Sequence, residues 1–269
     1  MDLFDPAGLL EVAFVLAVWF YVVTPILIAF TSRVAADPDL VPFDIDDPAL
    51  PADVAAYYGK TVKALSRIGF EPVEAFAISR HVRRVKAIVL ILVNRTTRDT
   101  AWVSAFYATT GAGLTLKSKS VAFSSRFSDG TAISTSNIHL LPSFKRPRNR
   151  RSIRFPMVSD PDRLYRLHQA LADEHTTGGG KVLRLDEEFG GDALAFQRAS
   201  LIEECESQVE CGRYYKSRDG KAYLPTWNGA YLMTWGLLPP IKQIRNIAHT
   251  LAATRLLRKL ESHQSRNPG

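Results

Sequence analysis

From Val12 to Phe30 the chain runs VAFVLAVWFYVVTPILIAF, nineteen residues without a charge. No other stretch restricts its fold and address so tightly. At 1.5 Å per residue the run makes roughly 28 Å of helix, about the thickness of a bilayer's hydrocarbon layer. Leu9 and Leu10 extend it if Glu11 sits near the interface. Pro25 removes one backbone donor, which membrane helices tolerate. A cleaved signal peptide would want a basic start and a shorter apolar region. A buried core helix would be unusually long and apolar. The segment therefore reads as a transmembrane helix. No Lys or Arg precedes it and Arg33 follows it closely, which favours an outside N-terminus and a cytoplasmic body. The expected address is the cell membrane, crossed once.

The net charge of +7 conceals an asymmetry. Residues 1–30 hold Asp2, Asp5 and Glu11 and no base; without those three of the 27 acids, 24 remain against 34 basic side chains, or +10 for the rest. Such a body favours anionic partners, lipid headgroups or nucleic acid. Cys205 and Cys211 fit neither a zinc knuckle nor a redox pair, and both read as ordinary packing residues on or near a helix.

Beyond the anchor (1–31), residues 32–50 open an acidic, proline-rich stretch. From Val34 to Asp53 it holds four prolines and six acids, which argue against helix or central strand and for a semi-extended tether. An α+β domain is expected over 51–177. A helix runs from Pro51 to about Arg67 and stops at Gly69. Strands at Val73–Ile78, Lys86–Val93 and Trp102–Thr109 follow, then Val121–Phe127 and Thr131–Ser136 around Ser128-Asp129-Gly130. Together they form an antiparallel β-meander packed by flanking helices. Ser152–Phe155 suits an edge. A helix capped by Ser159 or Asp160 ends at His175, and Gly178-Gly179-Gly180 is a joint. A mostly helical C-terminal part, 178–269, contains a helix from Asp192 to Glu210 and one β-hairpin around Asp219-Gly220. A Thr226-capped helix and a basic last helix from Ile241 to about Glu261 complete it.

Two features suggest contacts. Lys145, Arg146, Arg148, Arg150, Arg151 and Arg154 fall within ten positions. Each basic side chain near an anionic surface contributes roughly 1 kcal/mol; a phosphate backbone would be held with steep salt dependence, and the plain alternative is a solvated loop. Trp227, Tyr231 and Trp235 recur every four residues on one helix face, in a stretch uncharged from Trp227 to Ile241. They suit either an interfacial position among lipid headgroups or a packed core. Fifteen residues and two adjacent prolines argue against a second full span. In the last helix the stripe Ile241, Ile244, Ile247, Ala248 and Leu251 is expected to dock on the domain, leaving a looser basic end after Ala252.

No catalytic or metal-ligating pattern stands out. The six histidines are scattered; His168 and His175 read as a half-buried and a helix-end residue. Gly178–Lys181 lacks the spacing of a phosphate loop, and Asp186, Glu187 and Glu188 read as acids near a helix start. No cofactor is expected. The segments RFPMVSDPDRLYRLHQAL, KVLRLDEEFGGD and YLPTWNGAYLMTWGLLPPIKQIR resemble an uncharacterised bacterial family of N-terminally anchored single-pass proteins with no assigned activity. That resemblance implies single-pass topology and supplies no catalytic residue. The functional expectation is a cytosol-facing adaptor or sensor that touches anionic phospholipid or a protein partner through its basic surfaces. A membrane-bound enzyme with a pocket between the sheet and the C-terminal helices is the alternative, and nucleic-acid binding is the third, least favoured reading.

Overall fold

A computed structural model describes residues 6–47, 50–78, 85–110, 113–139, 142–144, 146, 149–177, 182–183, 189–236 and 238–266. The glycine joint 178–180, the bend at 111–112, the acids 186–188 and, within the basic cluster, Lys145 and Arg148 lie outside the described residues. The fold is α+β.

The apolar N-terminal run is one rod of helix: α1 (Pro6–Val18), a π-helical turn (Trp19–Val23) and α2 (Thr24–Thr31). Pro25 sits in the first turn of α2, where its missing N–H is most easily accommodated. Gly8–Thr31 is long and apolar enough to cross a membrane, and only 6% of its most apolar window is buried by the rest of the protein.

The following acidic stretch does not hang free. Val34–Ala35 forms β1, and Leu40–Pro42 forms β2. Each is an edge strand, β1 pairing with the hairpin near the C-terminus and β2 with the main sheet. Prolines are compatible with such edges because one side of the strand needs no ladder partner. Leu40 and Leu50 are buried, which fixes the segment to the body.

The main sheet has seven strands in the order β2, β3 (Phe70–Ile78), β4 (Val85–Asn94), β5 (Thr100–Thr110), β6 (Gly113–Arg126), β7 (Ala132–Ser136) and β8 (Arg150–Arg154). β2 to β7 pair antiparallel in chain order, as a meander does. β8 takes the far edge but runs parallel to β7. Helix α3 (Ala52–Arg67) starts at Pro51 and ends before Gly69, whose φ of +88° is a left-handed stop. α4 (Pro161–Thr176) is capped by the Asp160 carboxylate, which accepts from the Asp162 and Arg163 amides.

The packing of β4 explains why its sequence is apolar from Ala87 to Val93. Leu90 and Leu92 face a core with Val54, Tyr58 and Leu65 of α3 and Leu164, Leu167 and Leu171 of α4. Val89 and Ile91 face the opposite layer, with Phe76 and Ala193. Ala193 opens α5 (Ala193–Glu210), so this strand is covered on both sides. On α5, Phe196 stacks on Trp102, and Gln197 accepts from the Trp102 indole at 2.8 Å.

The C-terminal elements continue with hairpin β9 (Tyr214–Lys216) and β10 (Ala222–Pro225), α6 (Trp227–Trp235) and α7 (Ile241–Arg266). α7 reverses the expected docking. Ile244, Ile247 and Leu251 are exposed, whereas Ala253, Leu257 and Leu260 are buried in the core beside α4. Spacing of four and three residues gives the later stripe its own helix face, and α4 offers that face an apolar surface. An Arg163–Glu261 pair at 2.6 Å fastens the same end. The basic residues Arg255, Arg258 and Lys259 are placed around this docked stripe rather than on a loose tail.

Candidate functional site

The aromatic helix and the apolar rod meet. Thr226 caps α6 by accepting from the Gly229 amide, and its own hydroxyl donates to the Gly212 carbonyl at 2.8 Å. A side chain at Gly229 would run into the Arg213 carbonyl, so glycine lets α6 lie directly on the hairpin. From there α6 follows the second half of the rod. The Trp227 ring meets Phe30 edge-on at 5.9 Å, and the Trp235 ring meets Tyr21 at 6.3 Å. The Trp235 indole donates to the Tyr21 carbonyl at 3.4 Å, and the Tyr21 hydroxyl donates to the Pro239 carbonyl. Tyr231 packs on Trp235 at 5.4 Å. Trp227 is 56% exposed and Trp235 44%: each ring has one face on protein and another facing outward.

The basic cluster is divided by strand alternation. Arg150 pairs with Glu203 of α5, which also lies 3.7 Å from Arg126. Arg151 turns to the other layer and pairs with Glu174 of α4 at 3.3 Å. Arg154 gathers with other bases: burial lowers its guanidinium pKa, and the charges of Arg245 and Arg146 lower it further. Arg245, on the first part of α7, donates to the Pro142 carbonyl at 3.0 Å. Arg146, Arg154 and Arg245 thus concentrate positive charge at the β8 edge, near the start of α7, and mutual repulsion of this kind is relieved by an anion.

A buried polar group escaped the sequence reading. Asp99, in the β4–β5 turn, accepts from the Ser125 hydroxyl at 2.5 Å and from the Tyr165 hydroxyl at 2.8 Å. Thr97 extends the chain to the Tyr165 oxygen at 2.7 Å. His168 Nε2 lies 2.9 Å from the Ser125 oxygen; because the serine proton is given to Asp99, this nitrogen is the donor. Serine, histidine and aspartate together suggest a hydrolase, but their geometry does not make one. A working triad places the carboxylate on Nδ1; here Asp99 sits beyond Nε2, at 3.8 Å, and Nδ1 has no hydrogen-bond partner among the described residues. Ser125 and His168 are both fully enclosed. His168, expected half-buried, instead joins the turn to α4. The clue in the sequence was Ser125 on the inward-facing alternation of Val121, Phe123 and Phe127.

Two cavities lie beside the sheet and α3. One of about 130 Å³, between the sheet and α5, is lined by Arg126, Arg150 and Glu203; small-molecule sites usually run from about 300 Å³ upward. An open groove of about 550 Å³ lies between α3 and the acidic stretch, bordered by Asp46, Asp47 and Lys63. Among the described residues no group of three or more His, Cys, Asp or Glu could hold a metal ion. Cys205 is buried, with its thiol pushed up to about 11 by burial and by Glu204 and Glu206, whereas Cys211 is exposed at the end of α5. No protein-family model, curated protein or solved structure matches this chain.

Proposed function

We propose that this protein is a single-pass membrane protein of the cell membrane. In this reading its cytoplasmic body works as an adaptor or sensor that contacts anionic phospholipid headgroups, and through them or beside them a protein partner. The observation that carries the reading is the outward-facing apolar rod Gly8–Thr31, continuous with a body of opposite character. Water is a poor solvent for its nineteen uncharged residues from Val12 to Phe30, and the hydrocarbon layer matches their length.

Arg146 and Arg154, reinforced by Arg245, are the part of the basic cluster best suited to take a phosphate. Arg150 and Arg151 point to opposite layers of the sheet, toward Glu203 and Glu174, and so do not converge with them. Enrichment of phosphatidylglycerol over phosphatidylcholine in lipid co-purifying with the full-length chain tests this. Arg146→Gln with Arg154→Gln should reduce the enrichment by up to about thirtyfold, at roughly 1 kcal/mol for each of the two guanidiniums removed. Arg150→Gln with Arg151→Gln should reduce it less. Unchanged enrichment in the first pair removes the lipid role; a steep salt-dependent affinity for nucleic acid in its place would favour phosphate-backbone binding.

A further inference from the structure

The free length of the apolar rod leads to a second membrane element. α6 covers the rod from Tyr21 to Phe30, leaving Gly8–Phe20 exposed. Its uncharged part, Val12–Phe20, makes roughly 14 Å of helix, and even with Gly8–Glu11 it stays short of a hydrocarbon layer of about 30 Å. If the rod crosses the bilayer, α6 has to enter the lipid beside it.

α6 is built for that environment. It carries no charged side chain, and its outward residues include Trp227, Leu232 and Trp235. Thr234 satisfies its hydroxyl inside the helix, on the Ala230 carbonyl at 2.8 Å. The turn beyond it addresses the main difficulty of irregular backbone in lipid, the unpaired polar group. Pro239 and Pro240 have no N–H to leave unsatisfied, and the Pro239 carbonyl accepts from the rod's own Tyr21 hydroxyl. The Leu238 amide bonds to the Trp235 carbonyl, and the Leu238 carbonyl accepts from the Lys242 amide at 2.8 Å. α7 then leaves the turn with Ile244 and Ile247 about 60% exposed, on the part of the helix that finds no core. Lys242 and Arg245 limit the depth to what their stems can span to the headgroups.

We infer that α6, the Pro239–Pro240 turn and the first turns of α7 form a re-entrant hairpin. It dips into the leaflet on the body's side and places Leu232, Ile244 and Ile247 among acyl chains. This rests on the single-pass reading, and the test separates the two. In full-length protein with Cys205→Ala and Cys211→Ser, single cysteines are placed at Val15, Leu232 and the exposed hairpin residue Arg218. The protein is held in phosphatidylcholine nanodiscs, open to both sides, and treated with a charged maleimide. Val15→Cys and Leu232→Cys should both label at least tenfold more slowly than Arg218→Cys. A fast Leu232→Cys beside a protected Val15→Cys overturns the hairpin and keeps the span; fast labelling at both overturns both. As a check that needs no cysteine, the emission lost in Trp235→Phe should be one that brominated acyl chains quench in the unaltered chain. If that emission is not quenchable, the hairpin is overturned.

Discussion

Asp99 is a buried carboxylate that accepts from two hydroxyls, those of Ser125 and Tyr165. Burial works against its ionisation, but the nearby His168 ring and the Ser125 and Tyr165 donors outweigh it and hold its carboxyl below the usual range. A depressed carboxyl contributes stability that is fully present above its unfolded value, near 3.9, and is lost as pH falls through the lower folded value. Chemical denaturation from pH 6 downward should therefore show a loss of stability at acid pH that Asp99→Asn shares much less. Asp99→Ala strands two hydroxyls and should cost about 2–4 kcal/mol at neutral pH, read from the denaturation midpoint. Gly69 is the second sensitive residue: at φ +88°, with the Asn94 amide 3.1 Å from where a Cβ would stand, Gly69→Ala should cost about 1–3 kcal/mol. The glycine was legible as a helix stop. The Asp99 network was not, because its members lie in three separate elements and each has an unremarkable local sequence.

At the scale of elements, α7 is where periodicity misled. Its two apolar stripes are of similar strength, and helical spacing alone cannot say which finds a partner. The choice fell to α4, whose apolar side accepts Ala253, Leu257 and Leu260. Leu257→Ala should lower stability by about 2–4 kcal/mol in a denaturation experiment, as expected of a buried leucine, while Ile247→Ala should stay within about 0.5 kcal/mol. The opposite ranking would mean that α7 docks through its first half. Strands fared better. β4, β5 and the β6–β7 turn fell where apolar runs and Asp-Gly punctuation put them, since pairing partners adjacent in sequence need little tertiary information. The parallel addition of β8 depends on how the chain between residues 137 and 149 returns, which no local pattern encodes.

At the scale of the whole molecule, the rod and the body share a surface, so they should not separate cleanly. Removing residues 1–31 uncovers the faces of Trp235 and Trp227 that α6 lays on the rod. The truncated chain should self-associate or bind detergent in light-scattering measurements, and Trp227→Ser with Trp235→Ser should reduce this; a monodisperse truncated chain would contradict the packing. The uncharged helix, the meander, the helix caps and the positive bias of the body could all be read from the order of residues alone, because each follows from contiguous residue chemistry. Three outcomes could not: the acidic stretch is sewn to both sheets, the basic cluster is divided among Glu203, Glu174 and Arg245, and α6 lies along the apolar rod. Those depend on which distant surfaces are left to be buried once the sheet has formed, and burial is a property of the assembled chain.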